Sequence, residues 1–430
     1  MGFYDITAVL VTLAAAFSYI NHRYVHFPGT IGQMALSLLF SLIVLFLGRA
    51  AIIPLDEGVT RLLSGLDFYD TLMHGMLGFL LFAGALHVNL NDLLGRKWVI
   101  SLLATAGVLV ATLLVGGFTW LCFRLLHLEL PLLYCLLFGA LISPTDPIAV
   151  LGIMKKVGAP RDLETTLTGE SLFNDGMGVV VFLALLSLLA GSGRPDYGGI
   201  AILFLVEAGG GIVYGAALGY LCYFFLRQVD RYQVEVLLTL ATVIGGYRLA
   251  EILHVSAPLA IVVAGLLVGN HGRHFGMSPL TRRHLDTFWE LLDEVLNAVL
   301  FVLIGLEIMI LPHDFRALYA GLLLIPMVLL ARFLSVGATV SLLRGFRPFA
   351  RGTVRTLTWA GLRGGISVAL ALSLPPGPHR DTIVTITYVV MVFSILIQGL
   401  SVGRLVRHFM ATGFNEAING AGPRQTSDDS

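Results

Sequence analysis

Ser143-Pro144-Thr145-Asp146-Pro147 and Gly169-Glu170-Ser171-Leu172-Phe173-Asn174-Asp175-Gly176 both sit inside apolar runs long enough to cross a bilayer. A carboxylate at that depth is costly unless it is neutralised or binds a cation. The natural use of such residues is a cation and proton pathway. Working outward, the whole chain supports a membrane setting. It has 430 residues, 57% of them hydrophobic and only 13% charged, whereas soluble domains carry about 25% charged residues. The formal net charge is zero, which argues against nucleic acid as a partner. Cys122, Cys135 and Cys222 are scattered through apolar runs without a CxxC pair, so neither a disulfide framework nor a metal site is indicated.

At about 20 apolar residues per crossing helix, the sequence predicts thirteen spans. They fall at 4–21, 31–52, 68–88, 98–122, 131–154, 165–190, 199–226, 234–252, 257–270, 286–311, 317–343, 353–374 and 382–407. No basic residue precedes His22 and Arg23, so the first run is expected to stay as a transmembrane helix rather than be cleaved. Cytoplasmic loops are enriched in Lys and Arg. With the N-terminus outside and the C-terminus inside, eighteen of the 27 basic residues fall on inner segments and six on outer ones. Arg248, Arg332 and Arg363 fall within spans. Residues 1–411 therefore read as a single transmembrane domain, and 412–430 as a short polar, disordered cytoplasmic tail.

The fifth span is interrupted by two prolines, each of which removes a backbone donor and crowds the preceding turn. The twelfth is interrupted by Gly361-Leu362-Arg363-Gly364-Gly365. Opened backbone inside a bilayer is tolerated where it faces protein or a wet cavity. Two interrupted helices, one in each half, point to an inverted-repeat transporter with its site where they cross near the midplane. The expected fold class is thus an all-α polytopic membrane protein of about thirteen transmembrane helices. The plainer alternative is that Pro and Gly merely kink packed helices.

On a helical sixth span, Ser171 and Asp175 share one face, while Glu170 and Asn174 share the adjacent one. Asp146 and Thr145 on the opened fifth helix complete an all-oxygen cluster with Ser171 and Asp175. Such ligands suit hard cations, and no His or Cys accompanies them. Close carboxylates in low dielectric resist double ionisation, so Asp146 or Asp175 can also accept a proton. A site that holds either a cation or a proton exchanges them by competition. Glu170 is expected to pair with Arg363, since an unpaired buried charge is expensive; the alternative places Glu170 beside cytoplasmic water. Asp286, Glu290, Asp293 and Glu294, with Asn297, form an acidic approach to the tenth span, or simply a solvated helix end. Glu235 and Arg248 read as interfacial residues that snorkel, with Glu251 facing water near a helix end. His271, His274 and His284 crowd one inner loop.

With these residues in hand, the chain resembles the monovalent cation/proton antiporter family, in its NhaP/NHE-type branch. The resemblance rests on the two opening strings, on Gly361-Leu362-Arg363-Gly364-Gly365, on Gln398-Gly399-Leu400 and on Phe301-Val302-Leu303-Ile304-Gly305-Leu306. It spans about residues 5–408. It implies thirteen helices, a homodimer, and a six-helix core moving against a dimerisation domain. Position by position it makes Asp146 and Asp175 the ion-binding carboxylates, with Thr145, through its carbonyl, and Ser171 as further ligands. It gives Asn174 the task of bracing the opened helix and pairs Glu170 with Arg363. The Asn174-Asp175 pairing is similar to that of electroneutral members exchanging one Na⁺ for one H⁺. One departure is Ala83, where related proteins often carry Glu.

The function expected is therefore secondary active Na⁺(Li⁺)/H⁺ antiport without a cofactor, serving pH homeostasis from a bacterial plasma membrane. K⁺/H⁺ exchange on the same scaffold is the first alternative. A passive cation channel is the second, and a membrane enzyme is last, since no nucleophile–base pair or metal-ligand set is present.

Overall fold

The computed structural model describes residues 3–49, 68–190, 197–273, 277–309, 314–345, 349 and 352–408. The expected tail at 412–430, and His274, lie outside the described residues. Within them the chain is helical almost throughout, as a lipid-embedded backbone must be if it is to satisfy its own polar groups. Thirteen helical passes follow in order. They are α1 (Phe3–Ile20, extended by a wide turn Asn21–Val25), α2 (Gly29–Arg49), α3 (Phe68–Leu86) and α4 (Lys97–Leu125). The broken α5 (Leu132–Ile142 and Ile148–Val157) leads to α6 (Arg161–Ala190), α7 (Tyr197–Leu226), α8 (Tyr232–Ile252) and α9 (Ala257–Gly272). α10 (Pro279–Glu307), α11 (Phe315–Leu343), the broken α12 (Thr353–Ala360 and Gly365–Leu372) and α13 (Pro378–His408) complete the set. Seven of these, α2, α3, α4, α6, α7, α11 and α13, are long and apolar enough to cross a membrane on composition alone. The others are shorter, broken or carry charge, and they gain their place by packing against those seven. The protein is integral to the membrane.

α10 begins earlier than its hydropathy suggests. Ser278 accepts a hydrogen bond from the Thr281 N–H and Pro279 takes the first helical position, which is the favoured chemistry for a helix start. Further along α10, the Trp289 indole N–H donates to Thr239 of α8 at 3.1 Å. Glu235, one turn before Thr239, is fully buried there. It is therefore not the snorkelling residue its position near a span end suggested. Arg248 does reach solvent, where it pairs with Glu251 at 3.0 Å. The two described loop histidines likewise separate: His271 closes α9, while His284 lies within α10 and stacks on Tyr232 at 4.3 Å.

Some helix seams among the described residues are tight enough to require glycine. A Cβ at Gly139 would lie 2.3 Å from the Thr112 carbonyl oxygen, so α5 runs against α4 backbone to backbone. A Cβ at Gly269 would lie 2.2 Å from the Leu86 carbonyl oxygen, where α9 meets the end of α3. Small residues at such seams are the usual means of close helix approach within membranes.

The breaks of α5 and α12 meet. Among the described residues, the sole strand-like pairing is the single antiparallel bridge between Asp146 and Leu362, with the Asp146 N–H donating to the Leu362 carbonyl at 2.8 Å. This crossing, deep in the molecule, places the site.

Candidate ion-binding site

Opening a helix frees backbone groups, and each of them needs a partner. In α5, Pro144 and Pro147 bring no N–H of their own. The Thr145 N–H donates to Asn174 Oδ1 at 3.3 Å, and Asn174 Nδ2 donates to Thr145 Oγ1 at 2.9 Å. One amide from α6 thus grips the break twice. The Ile148 N–H, which opens the second half of α5, donates to Asp146 Oδ1 at 2.9 Å. On the carbonyl side, Arg363 Nη1 donates to Ser143 O at 2.8 Å and to Pro144 O at 3.1 Å.

The break in α12 is settled by different partners. The Arg363 N–H donates to Ser394 Oγ at 3.0 Å, and Gln398 Nε2 donates to the Trp359 carbonyl at 3.2 Å. Arg332 Nη2 reaches the Leu357 carbonyl at 3.5 Å. Gly364 has to be glycine, because a Cβ there would lie 2.8 Å from Asp146 Cβ and 3.0 Å from its Oδ2.

Asp146 and Asp175 line one cavity of about 760 Å³. Ser171 lines it as well, one helical turn before Asp175, and its hydroxyl lies 3.0 Å from Thr145 Oγ1. Glu170 and Asn174, on the neighbouring face of α6, are fully buried and not part of the lining. The cavity widens toward exposed residues: Asn89 and Asp92 of the α3–α4 connection, Lys155 at the end of α5, and Arg161 at the start of α6. Both carboxylates are half-buried, unlike the closed surroundings of Thr145, Ser171 and Asn174. Two carboxylates and a hydroxyl on a wet cavity can hold a hard monovalent cation, and the same carboxylates can take up a proton.

The profile of the sodium/hydrogen exchanger, transmembrane, family covers residues 9–408. The chain belongs to the sodium/hydrogen exchanger family.

Within that family, the Na⁺/H⁺ antiporter NhaP of Pseudomonas aeruginosa is 53% identical over 421 residues, covering 97% of this chain and 99% of the relative. The Na⁺/H⁺ antiporter NhaH of Halobacillus dabanensis is 33% identical over 418 residues, covering 94% and 98%. Among solved structures, the sodium proton antiporter MjNhaP1 of Methanocaldococcus jannaschii at pH 8 shares the fold. It matches with a TM-score of 0.71 at 22% identity, covering 93% of this chain and 96% of its own.

One expected contact within the family framework needs correction. Glu170 does not pair with Arg363. Its carboxylate is bridged by Arg332 of α11, and both residues are buried. The physical reason lies in what each arginine has at hand. Arg363 sits in a break, where freed carbonyls accept its protons without a carboxylate. Arg332, which reaches one carbonyl of α12, that of Leu357, takes the buried Glu170 as its anion. A Cβ at Gly361 would lie 2.9 Å from Arg332 Nε, which places this pair directly behind the α12 break. The acidic run of α10 also divides. Glu290, Asp293 and Asn297 line the cavity, while Asp286 turns to Arg273 of the preceding segment. Ala83 lines the cavity too, and it offers no polar atom there.

Proposed function

We propose that this protein is a secondary active Na⁺(Li⁺)/H⁺ antiporter in which one cation and one proton compete for Asp146 and Asp175. The observation that carries the reading is the pair of half-buried carboxylates on one cavity at the crossing of two broken helices. Ser171 and Thr145 extend the oxygen set. Asn174 holds the α5 break in register. The Glu170–Arg332 pair and Arg363 support the crossing from behind. The relatives' names agree with Na⁺ as the cation.

Competition at a single site also accounts for electroneutral exchange. Loading one monovalent cation or one proton changes the interior charge by the same amount, so a one-for-one cycle moves no net charge. In the cell, the reading places the protein in a bacterial plasma membrane with the N-terminus outside, acting as a homodimer that alternates access to the two sides.

The test uses purified protein in proteoliposomes carrying an internal pH dye and an imposed proton gradient. Na⁺, Li⁺, K⁺ and choline are added in turn. Collapse of the gradient with Na⁺ or Li⁺ alone is the expected result, and a rate insensitive to an imposed membrane potential completes the electroneutral reading. Collapse with K⁺ would replace the cation. Voltage-driven current without proton movement would replace the mechanism by a channel.

A further inference from the structure

Buried hydroxyls in this protein's helices typically donate back to the carbonyl one turn earlier, as those of Thr112, Thr119, Ser143 and Thr358 do. Ser367 differs. It is 1% exposed, and its Oγ has no partner among the described residues. Ser367 stands in the first turn of the second half of α12, and the Gly364 carbonyl behind it accepts its backbone N–H, at 3.3 Å, rather than its hydroxyl. Asn297 on α10 is 2% exposed and presents a second orphan. Its Nδ2 donates to the Asp293 carbonyl at 2.9 Å. That bond fixes the amide orientation, since two carbonyl oxygens cannot satisfy each other, and leaves Oδ1 without a donor.

Both orphans line the cavity that holds Asp146 and Asp175, and Asp293 lines it one turn from Asn297. Gly364 lies against Asp146, and a Cβ at the next residue, Gly365, would lie 2.9 Å from Leu300 of α10. Asn297, one turn before Leu300, shares that face of α10, while Ser367 reaches the cavity from the first turn of the second half of α12. Ser171 and Asp175 belong to α6. A buried acceptor left unmade costs a full desolvation. Two of them on a wet cavity, beside a carboxylate, offer what a desolvating hard cation lacks.

We propose that Asn297 Oδ1 of α10 and Ser367 Oγ of α12, with the charge of Asp293 one turn from Asn297, form a second holding point for the transported cation in this cavity, separate from the Asp146–Asp175 pair. The cation rests there between the open cavity and the two aspartates. This inference builds on the antiport reading and adds a station to its path.

The experiment pairs transport with cation-dependent thermal stabilisation of the full chain in detergent, using NaCl and LiCl against choline chloride. Asn297→Ala and Ser367→Ala are expected to raise the apparent KM for Na⁺ several-fold with little loss of maximal rate. Asn297→Asp, which keeps an oxygen in place, is expected to restore it. With the primary site disabled by Asp175→Asn, a weak stabilisation by Na⁺ should persist, and Ser367→Ala added to that variant should remove it. Ser367 loses no protein hydrogen bond on substitution, so this arm stays readable even if Asn297→Ala folds poorly. An unchanged KM in both alanine variants, with wild type exchanging normally, would mean the oxygens hold water only and would overturn the proposal alone. Absence of any Na⁺ stabilisation in Asp175→Asn would also overturn it, leaving the oxygens as ligands of the main site at most. A wild-type protein that shows no Na⁺- or Li⁺-driven exchange would overturn the antiport reading and the second station together.

Discussion

The two broken helices look equivalent in a hydropathy trace, yet their breaks are built in opposite senses. The α5 break is made by two prolines and exposes a carboxylate to a cavity. The α12 break is made by three glycines and carries a guanidinium that turns inward to the carbonyls of its counterpart. Arg363 thus occupies the carbonyls of Ser143 and Pro144, which a cation in the cavity could otherwise have used. What remains available at the α5 break is the Asp146 side, next to Ser171 and Asp175. One break presents chemistry and the other supplies support, and the division follows from which polar groups each leaves free.

That division can be broken by experiment. Asp175→Asn or Asp146→Asn should abolish cation-driven collapse of a proton gradient while the protein stays folded and monodisperse, because the substitution removes charge and proton acceptor without disturbing the clasp. Normal turnover in either variant would dissolve the distinction between the two sides. Arg332→Ala should leave Glu170 buried and unpaired, at a cost of about 3–5 kcal/mol, read as a large drop in melting temperature. Replacing both partners by apolar residues of similar size should recover most of that loss.

Arg363→Ala is expected to cost less, about 1.5–3 kcal/mol for its charged hydrogen bonds to neutral carbonyls. A double-mutant cycle should therefore show stronger coupling of Glu170 to Arg332 than to Arg363. The reverse order would restore the Glu170–Arg363 pairing that the sequence suggested. Smallest is Asn174→Ala, at about 1–3 kcal/mol for the two bonds to Thr145. It should impair transport more than stability, since it loosens the backbone on which Asp146 sits; a Km and rate equal to wild type would remove Asn174 from the site.

Much of this arrangement is legible in the chain itself. Pro144, Pro147 and the Gly361–Gly365 run mark both breaks, and helical spacing alone separates Ser171 and Asp175 from Glu170 and Asn174. Partner choice is harder to read. Arg332 and Arg363 are both arginines at mid-span, and sequence records their chemistry but not which carbonyls are already occupied. An arginine inside a break has the freed carbonyls of the crossing helix at hand, and Arg363 takes two of them. The start of α10 was also marked, by Ser278-Pro279, but hydropathy draws the eye to the apolar residues further on. That earlier start brings His284 onto Tyr232 at the start of α8. Asn297 and Ser367 carry no such marker. A Ser or Asn in a membrane helix is ordinarily satisfied one turn away, and only the coordinates reveal that these two oxygens are not.

The glycine seams at Gly139 and Gly269 have a mechanical meaning. Helices that slide past one another do so by letting side chains hop between grooves, and a seam where a methyl group would strike a carbonyl oxygen has no side chain to spare. α4 is therefore dovetailed to the first half of α5, and α9 to the end of α3. A displacement of the kind the proposed alternating access requires would carry each joined pair as one piece.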